Sequence, residues 1–93
     1  MKKETRSALR KLKEKRRRID LIDEKLLTLL NQRLRVALEL GKIKKGMGKK
    51  IYDSKREKEV LEGLRRGNRG PLKEDDLKKI FSTIMKTSRK CQI

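Results

Sequence analysis

Several residue types on which enzymes often depend are absent or nearly absent from this sequence. It has no histidine, no tryptophan, one proline, one cysteine and two aromatic residues, Tyr52 and Phe81. A histidine–cysteine zinc site and an intramolecular disulfide are therefore excluded, and a serine or cysteine nucleophile would lack its usual base. No apolar run approaches the roughly 18 residues that cross a bilayer, and the N-terminus has no signal-peptide core. We expect a cytoplasmic protein without a metal site or a membrane segment.

Positive charge dominates the composition. Charged residues make up 46% of the chain, and 30 Lys and Arg against 13 Asp and Glu give a net charge of +17. Such a composition is typical of nucleic-acid-binding proteins and also of heat-adapted proteins, so it leaves both interpretations open. A length of 93 residues allows one domain, which we expect to span residues 1–93, with residues 1–15 as a basic N-terminal extension of the first helix.

The sequence predicts an all-α fold whose first helix is very long, from about Thr5 to about Lys45. A helix of about 40 residues is about 60 Å long, whereas a compact domain of about 93 residues has a radius of gyration near 12 Å. No proline or glycine interrupts residues 5–40, so a bend is not expected. We therefore expect a homodimer in which the long helices pair. The apolar positions that recur every three or four residues are Ile19, Ile22, Leu26, Leu29, Leu30, Ala37 and Leu40.

Two shorter helices are predicted after this one. Residues 46–52 form a loop, and the second helix begins near Asp53, with either Asp53 as its N-cap or Ser54 and Glu57 as a capping box. The glycines and the proline of residues 67–71 end it. The third helix is predicted from about residue 72 or 73 to the C-terminus. We predict three helices per chain and no strand.

Polar side chains interrupt the apolar faces of all three predicted helices. Taken singly, each has an ordinary explanation, because a long cation at the edge of an apolar face extends to water and a polar residue near a chain end lies on a frayed helix. Together, two cations, one carboxylate, one hydroxyl and one amide describe a polar pocket inside a helical bundle, suited to a small anion. These residues are Arg33, Lys44, Glu57, Ser88 and Gln92.

A further cation is expected from a partner chain. Arg16, Arg17 and Arg18 lie just before the apolar positions begin, and Arg16 is about 25 Å from Arg33 along a helix axis. One small ligand cannot reach both within a chain, but an antiparallel partner helix could bring an arginine to the pocket. Periodicity does not choose among the three arginines, and a solvated run of charge is the ordinary alternative.

Five segments in order resemble the all-helical chorismate mutases of the AroQ class. They resemble the family's patterns R-x-x-I-D-x-I/L-D, L-L-x-L-L-x-x-R, G-x-x-K, D-x-x-R-E and S-x-x-x-Q, and the resemblance covers about residues 9–92. One such pattern would be weak, but five in sequence are specific, and they include the polar positions singled out above. The segments are residues 16–23, 26–33, 41–44, 53–57 and 88–92.

This resemblance implies an enzyme that converts chorismate to prephenate, the branch-point step towards phenylalanine and tyrosine. It implies an interlocked homodimeric six-helix bundle with two active sites. The reaction is an intramolecular [3,3] rearrangement, so it needs no acid, base, metal or cofactor. The enzyme must hold a flexible dianion in its compact reactive shape and stabilise charge that develops on the breaking ether.

By resemblance, four residues are expected to be catalytic. Arg16 would reach a substrate carboxylate from the partner chain, and Arg33 would hold a carboxylate from the main chain of the same site. Lys44 would bond a carboxylate and the ether oxygen, to which Gln92 would donate from the other side. Lys44 and Gln92 should contribute most to the rate, because they face the bond that breaks.

Four further residues are expected to bind substrate. Glu57 and the backbone of Asp53 would bind the ring hydroxyl, Ser88 would bind the ring carboxylate, and Arg56 would support the site nearby. The glycine- and lysine-rich loop at residues 46–50 is expected to be mobile and to close on the ligand. The last helix turn is expected to fray, because only one residue follows Gln92. Members of the family are often fused to another enzyme, so an excised domain is one interpretation of this chain, which the sequence alone does not decide.

Three other functions stay open at this point. A basic helical nucleic-acid-binding protein would explain the charge but not the polar residues on apolar faces, although weak, salt-sensitive nucleic-acid binding is expected in any case. A pyruvate lyase that acts on isochorismate would use a similar cationic pocket and is distinguished by its product. A catalytically inactive regulatory domain of the same fold is the third alternative.

Overall fold

The computed structural model describes residues 2–93, which form three α-helices. Helix α1 spans Lys3–Gly46, α2 spans Ser54–Gly67 and α3 spans Glu74–Cys91, and no strand occurs within the described residues. The prediction of an all-α chain with one very long helix is confirmed. The ends of the helices lie within about two residues of the predicted ones, which is the usual uncertainty of a helix end.

The chain divides into two units, Met1–Gln32 and Arg33–Ile93. The first unit consists of the N-terminal part of α1, and from residue 2 onwards its side chains are exposed, apart from the half-buried Ser7. Large apolar side chains are among the exposed ones: Leu12 is 44% exposed and Leu27 is 62% exposed. They are exposed because this unit is a single helix and has no second element that could cover them. No helix among residues 2–93 is long and apolar enough to span a membrane.

The second unit contains the end of α1 together with α2 and α3. Its core is small: Ala37, Leu77 and Met85 are buried, and Val60 and Phe81 are half-buried beside them. By packing the three helices together, this core holds their polar residues in place.

Helix α1 ends in a Schellman motif. The amide of Gly48 donates to the carbonyl of Lys45 at 3.2 Å, and the amide of Lys49 donates to the carbonyl of Lys44 at 2.8 Å. Gly48 has a φ of +68°, which a residue with a side chain rarely adopts. Gly48, which was expected to lie in a mobile loop, therefore has a structural role: it allows the turn that ends the helix two residues after Lys44.

Caps and charges define the other two helices. The side chain of Asp53 accepts a hydrogen bond from the amide of Arg56 at 3.0 Å, so Asp53 is the N-cap of α2. Helix α3 follows Lys73 and carries Glu74, Asp75 and Asp76 in its first turn, where carboxylates are favourable beside the positive end of the helix dipole. Arg65 of α2 approaches Glu74 at 3.4 Å, which adds a weak, exposed ion pair between the helices.

Candidate active site

A cavity of about 250 Å³ lies in the second unit, lined by the end of α1, the following loop, α2 and α3. This volume suits a small metabolite and is below the range of pockets for drug-sized ligands. Arg16, the eighth residue singled out, lies in the first unit with an exposed side chain. The seven others all line the cavity: Arg33, Lys44, Asp53, Arg56, Glu57, Ser88 and Gln92.

Lys44 and Gln92 are held together at the cavity. The Lys44 ammonium donates to the backbone carbonyl of Ile51 at 2.8 Å and to Oε1 of Gln92 at 3.3 Å. An ammonium has three N–H donors, so within the described residues these two bonds leave one donor for a ligand. Because the amide oxygen of Gln92 accepts from Lys44, its NH2 group is the part that can donate to another molecule.

The last turn of α3 is ordered, contrary to the expectation that it frays. Gln92 is the C-cap residue of α3, its amide donates to the carbonyl of Arg89 at 3.1 Å, and it is 9% exposed. The physical reason is its packing on Gly41: a Cβ built on that glycine would lie 2.9 Å from Cβ and 3.0 Å from Cγ of Gln92. Only a residue without a side chain permits so close an approach at this position.

Arg33 and Ser88 form a second polar pair. A guanidinium N–H of Arg33 donates to the Ser88 hydroxyl oxygen at 2.5 Å, and that hydroxyl donates to the carbonyl of Ile84 at 2.9 Å. The hydroxyl proton of the buried Ser88 is thus engaged within α3, and its oxygen orients Arg33. Direct donation from Ser88 to a ligand carboxylate would require the hydroxyl to rotate.

Glu57 has a partner that the sequence analysis did not single out. Arg89 forms a charge-assisted hydrogen bond with Oε2 of Glu57, and its guanidinium lies over the Tyr52 ring, 4.7 Å from the centroid. The hydrogen bond to the Glu57 carboxylate raises the pKa of Arg89. The sequence did contain a signal for the position of Arg89. Arg89 lies four residues after the buried Met85 and three before Gln92, a spacing that places all three on one face of the helix.

Arg56 and Asp53 are exposed residues of the cavity lining. The Arg56 side chain is 69% exposed and approaches Glu59 at 3.8 Å, a long contact between exposed groups that contributes little to stability. Asp53 uses its carboxylate as the helix cap, so its backbone is the part that is left to meet a ligand, as expected.

The charges around the cavity favour an anion. Four cationic and two carboxylate side chains line it, a net charge of +2. No group of three or more Asp, Glu or Cys residues within residues 2–93 is arranged to hold a metal ion. The arrangement can bind and orient a small dianion and donate hydrogen bonds to it, and it offers no activated nucleophile.

Comparison with known proteins gives a consistent result. A family model described as chorismate mutase type II matches residues 15–93. The bifunctional chorismate mutase/prephenate dehydratase of Pseudomonas aeruginosa is 37% identical over 79 residues, which cover 80% of this chain and 22% of that protein. The enzyme of the same name from Aquifex aeolicus is 41% identical over 61 residues, which cover 66% of this chain and 17% of that protein. The chain therefore spans about a fifth of the length of these curated relatives.

Solved structures resemble the chain over most of its length. A chorismate mutase of Thermus thermophilus (form II) superposes with a TM-score of 0.87 at 32% identity, covering 88% of this chain and 93% of that one. A conserved hypothetical protein of Pyrococcus furiosus superposes with a TM-score of 0.75 at 36% identity, covering 89% and 96%. With the family model and the relatives in agreement, this chain belongs to the chorismate mutase type II family.

Proposed function

We propose that this chain catalyses the rearrangement of chorismate to prephenate, in the biosynthesis of phenylalanine and tyrosine. The observation that carries the proposal is the cavity of the second unit, where a net charge of +2 surrounds a space for one small molecule. Chorismate carries two carboxylates, so its charge complements that of the cavity. The cavity needs no metal or cofactor for this reaction, since the bonds break and form within one molecule.

The geometry suits stabilisation of the negative charge that develops on the ether oxygen as its bond breaks. The one Lys44 donor that is not engaged with Ile51 or Gln92 and the NH2 group of Gln92 both belong to the same hydrogen-bonded pair. Both groups would donate to the ether oxygen as it gains negative charge. Donors that are already held in place cost little reorganisation at the moment of reaction, which is why such pairs accelerate a reaction strongly.

Arg33 would hold one substrate carboxylate. Its hydrogen bond to Ser88 fixes one edge of the guanidinium and leaves its other N–H groups for the bidentate pairing that arginine makes with carboxylates. Arg56 would support the same dianion from the more exposed side. Glu57 and the backbone of Asp53 would bind the ring hydroxyl. In this proposal Ser88 acts on the ring carboxylate by rotating its hydroxyl, or through Arg33.

A homodimer would complete the site. The exposed apolar residues of the first unit support this proposal, since side chains such as Ile19 and Ile22, 56% and 54% exposed, need a second helix to cover them. An antiparallel pair of long helices, interlocked as a six-helix bundle, would bury these residues and deliver Arg16 of the partner subunit to a substrate carboxylate.

The N-terminal residues extend the domain rather than form another one. We treat residues 1–93 as one domain and residues 1–15 as a basic extension, which is supported by the family match at residues 15–93. Seven of these 15 residues are basic and two are acidic, so weak, salt-sensitive binding to nucleic acid is an expected side effect of this extension. We place the protein in the cytoplasm.

Chorismate turnover tests the proposal directly. The loss of chorismate absorbance is followed and the product identified, for the parent and for Lys44→Ala and Gln92→Ala. Each substitution removes a donor to the reacting oxygen and is expected to lower kcat by about 100- to 1,000-fold. Lys42→Ala, an exposed lysine of the same helix, is the matched control and should keep the parent rate.

Other products or an absence of turnover would contradict the proposal. Release of free pyruvate from isochorismate would assign the chain to the lyase reaction instead. A folded dimer that turns over neither compound would indicate an inactive relative, and the basic surface would then be the leading feature to explain.

A further inference from the structure

Arg89 lines the cavity, but the family patterns quoted above assign it no role. Its side chain is 29% exposed, and that of its partner Glu57 is 22% exposed, so both groups of this ion pair are largely withdrawn from water. The pair joins α3 to α2 directly beside the space that a ligand would occupy. A pair in this environment contributes more to orientation than an ion pair on an open surface.

Three segments of the chain restrain the Arg89 guanidinium. Its helix α3 provides the backbone, the Glu57 carboxylate of α2 accepts one N–H, and the Tyr52 ring of the loop lies beneath it at 4.7 Å. Stacking on an aromatic face and a charge-assisted hydrogen bond together restrict a side chain that otherwise has many rotamers. The guanidinium is thus restrained by three segments, and the Glu57 carboxylate is hydrogen-bonded to it.

The hydrogen bond also decides which oxygen of Glu57 is available. Arg89 contacts Oε2, so Oε1 of the same carboxylate is the acceptor that can serve a ligand in the cavity. The positive charge of Arg89 is already matched by this carboxylate. Arg33 and Lys44 differ in this respect, because their partners are a hydroxyl, a backbone carbonyl and an amide.

We propose that Arg89 is a positioning residue that holds Glu57 so that its carboxylate accepts a hydrogen bond from the ring hydroxyl of the substrate, with Tyr52 supporting the guanidinium. The inference rests on the proposed mutase function and adds to it a determinant of substrate recognition. Arg89 acts through Glu57 and does not bind the substrate carboxylates.

A double-mutant cycle tests this role. Arg89→Met keeps the length of the side chain and removes its charge and donors, and it is expected to raise KM by about 5- to 20-fold while kcat stays within about twofold. Glu57→Gln removes the acceptor charge itself. If Arg89 acts only through Glu57, Arg89→Met changes KM by less than about twofold when it is added to Glu57→Gln. Arg89→Lys, which keeps a donor and a charge, should recover most of the parent KM.

A ligand pair gives a readout that a purely structural role would not move. Calorimetry compares prephenate with an analogue that has hydrogen in place of the ring hydroxyl. The parent should prefer the hydroxylated ligand by about 10-fold, and Arg89→Met should lose most of this preference. Tyr52→Leu keeps both Arg89 and Glu57 and removes only the aromatic ring, so it should lose part of the preference for the hydroxylated ligand. This variant tests the proposal if Arg89→Met does not fold.

Two outcomes would overturn the inference. Losses that multiply in the double variant would show that Arg89 binds the substrate directly, and an unchanged KM with an unchanged hydroxyl preference would show that the pair has no role in recognition. Lys90→Met, at an exposed neighbouring position, controls for loss of positive charge on α3. Failure of the proposed function is seen separately, because the parent would then not turn over chorismate.

Discussion

Gly41→Ala should reduce activity while the chain stays folded. The new Cβ would lie 2.9 Å from Cβ, 3.0 Å from Cγ and 3.1 Å from Cα of Gln92. Carbon atoms are at their optimal separation at about 3.5–4.0 Å, so the end of α3 must move by about 0.5–1 Å. Gln92 is the C-cap of its helix, where such a shift is easier than in a helix interior. The donor that would face the ether oxygen moves with it.

The expected magnitudes follow from this displacement. A misplacement of about 1 Å costs about 100-fold in rate, so kcat is expected to fall by about 10- to 100-fold. Overpacking costs about 1–3 kcal/mol, and replacing a glycine inside a helix with alanine returns about 0.8–1.0 kcal/mol. The free energy of unfolding should therefore fall by no more than about 2 kcal/mol.

Steady-state kinetics and urea unfolding measure both quantities on the same samples. Gly63→Ala is the matched control, because Gly63 lies inside α2 and a Cβ built on it meets no atom within 4 Å. The control should gain about 0.5–1 kcal/mol of stability at the parent rate. A Gly41→Ala variant with the parent kcat would refute the reasoning, because the close contact would then not determine where Gln92 acts.

Two further predictions concern residues that act together. Ser88→Ala removes the acceptor that orients Arg33, and we expect KM for chorismate to rise by about 5- to 10-fold with a small change in kcat; an unchanged KM would mean that Arg33 is oriented by other contacts. Arg16→Ala and Lys44→Ala chains should each be nearly inactive alone. Mixed at equal amounts and allowed to exchange subunits, they should recover about a quarter of the parent rate, because about half of the dimers are mixed and each holds one intact site. No recovery after exchange would place Arg16 outside the partner's site.

The sequence predicted those features that depend on local patterns. The extent of α1 followed from the spacing of its apolar residues together with the absence of glycine and proline from residues 5–40, and the approximate start of α2 from the capping residues near Asp53, because both are determined by neighbours along the chain. The positions of Ser88 and Gln92 on the inner face of α3 followed from helical periodicity. Each of these inferences needed no knowledge of how the helices pack.

Contacts between distant segments could not be predicted in the same way. The ordered end of α3 depends on Gly41, which lies 51 residues earlier, and the expectation of fraying considered only the few residues around Gln92. The pairing of Arg89 with Glu57 likewise depends on the distance between α2 and α3. Periodicity could have placed Arg89 on the inner face, but it could not have chosen between solvent, a carboxylate and a ligand as its partner.

The hydrogen-bond partners of Arg33 and Lys44 leave the positive charge of both side chains available for the anionic substrate that we propose. A carboxylate beside Arg33 or Lys44 would hold either side chain in place, but it would also cancel the charge that a dianion needs. The structure uses neutral acceptors instead: the Ser88 hydroxyl for Arg33, and the Ile51 carbonyl and Gln92 amide for Lys44. These groups orient the cations without neutralising them. Arg89 is matched with a carboxylate, and the same reasoning assigns it to positioning rather than to binding the charged groups of the substrate.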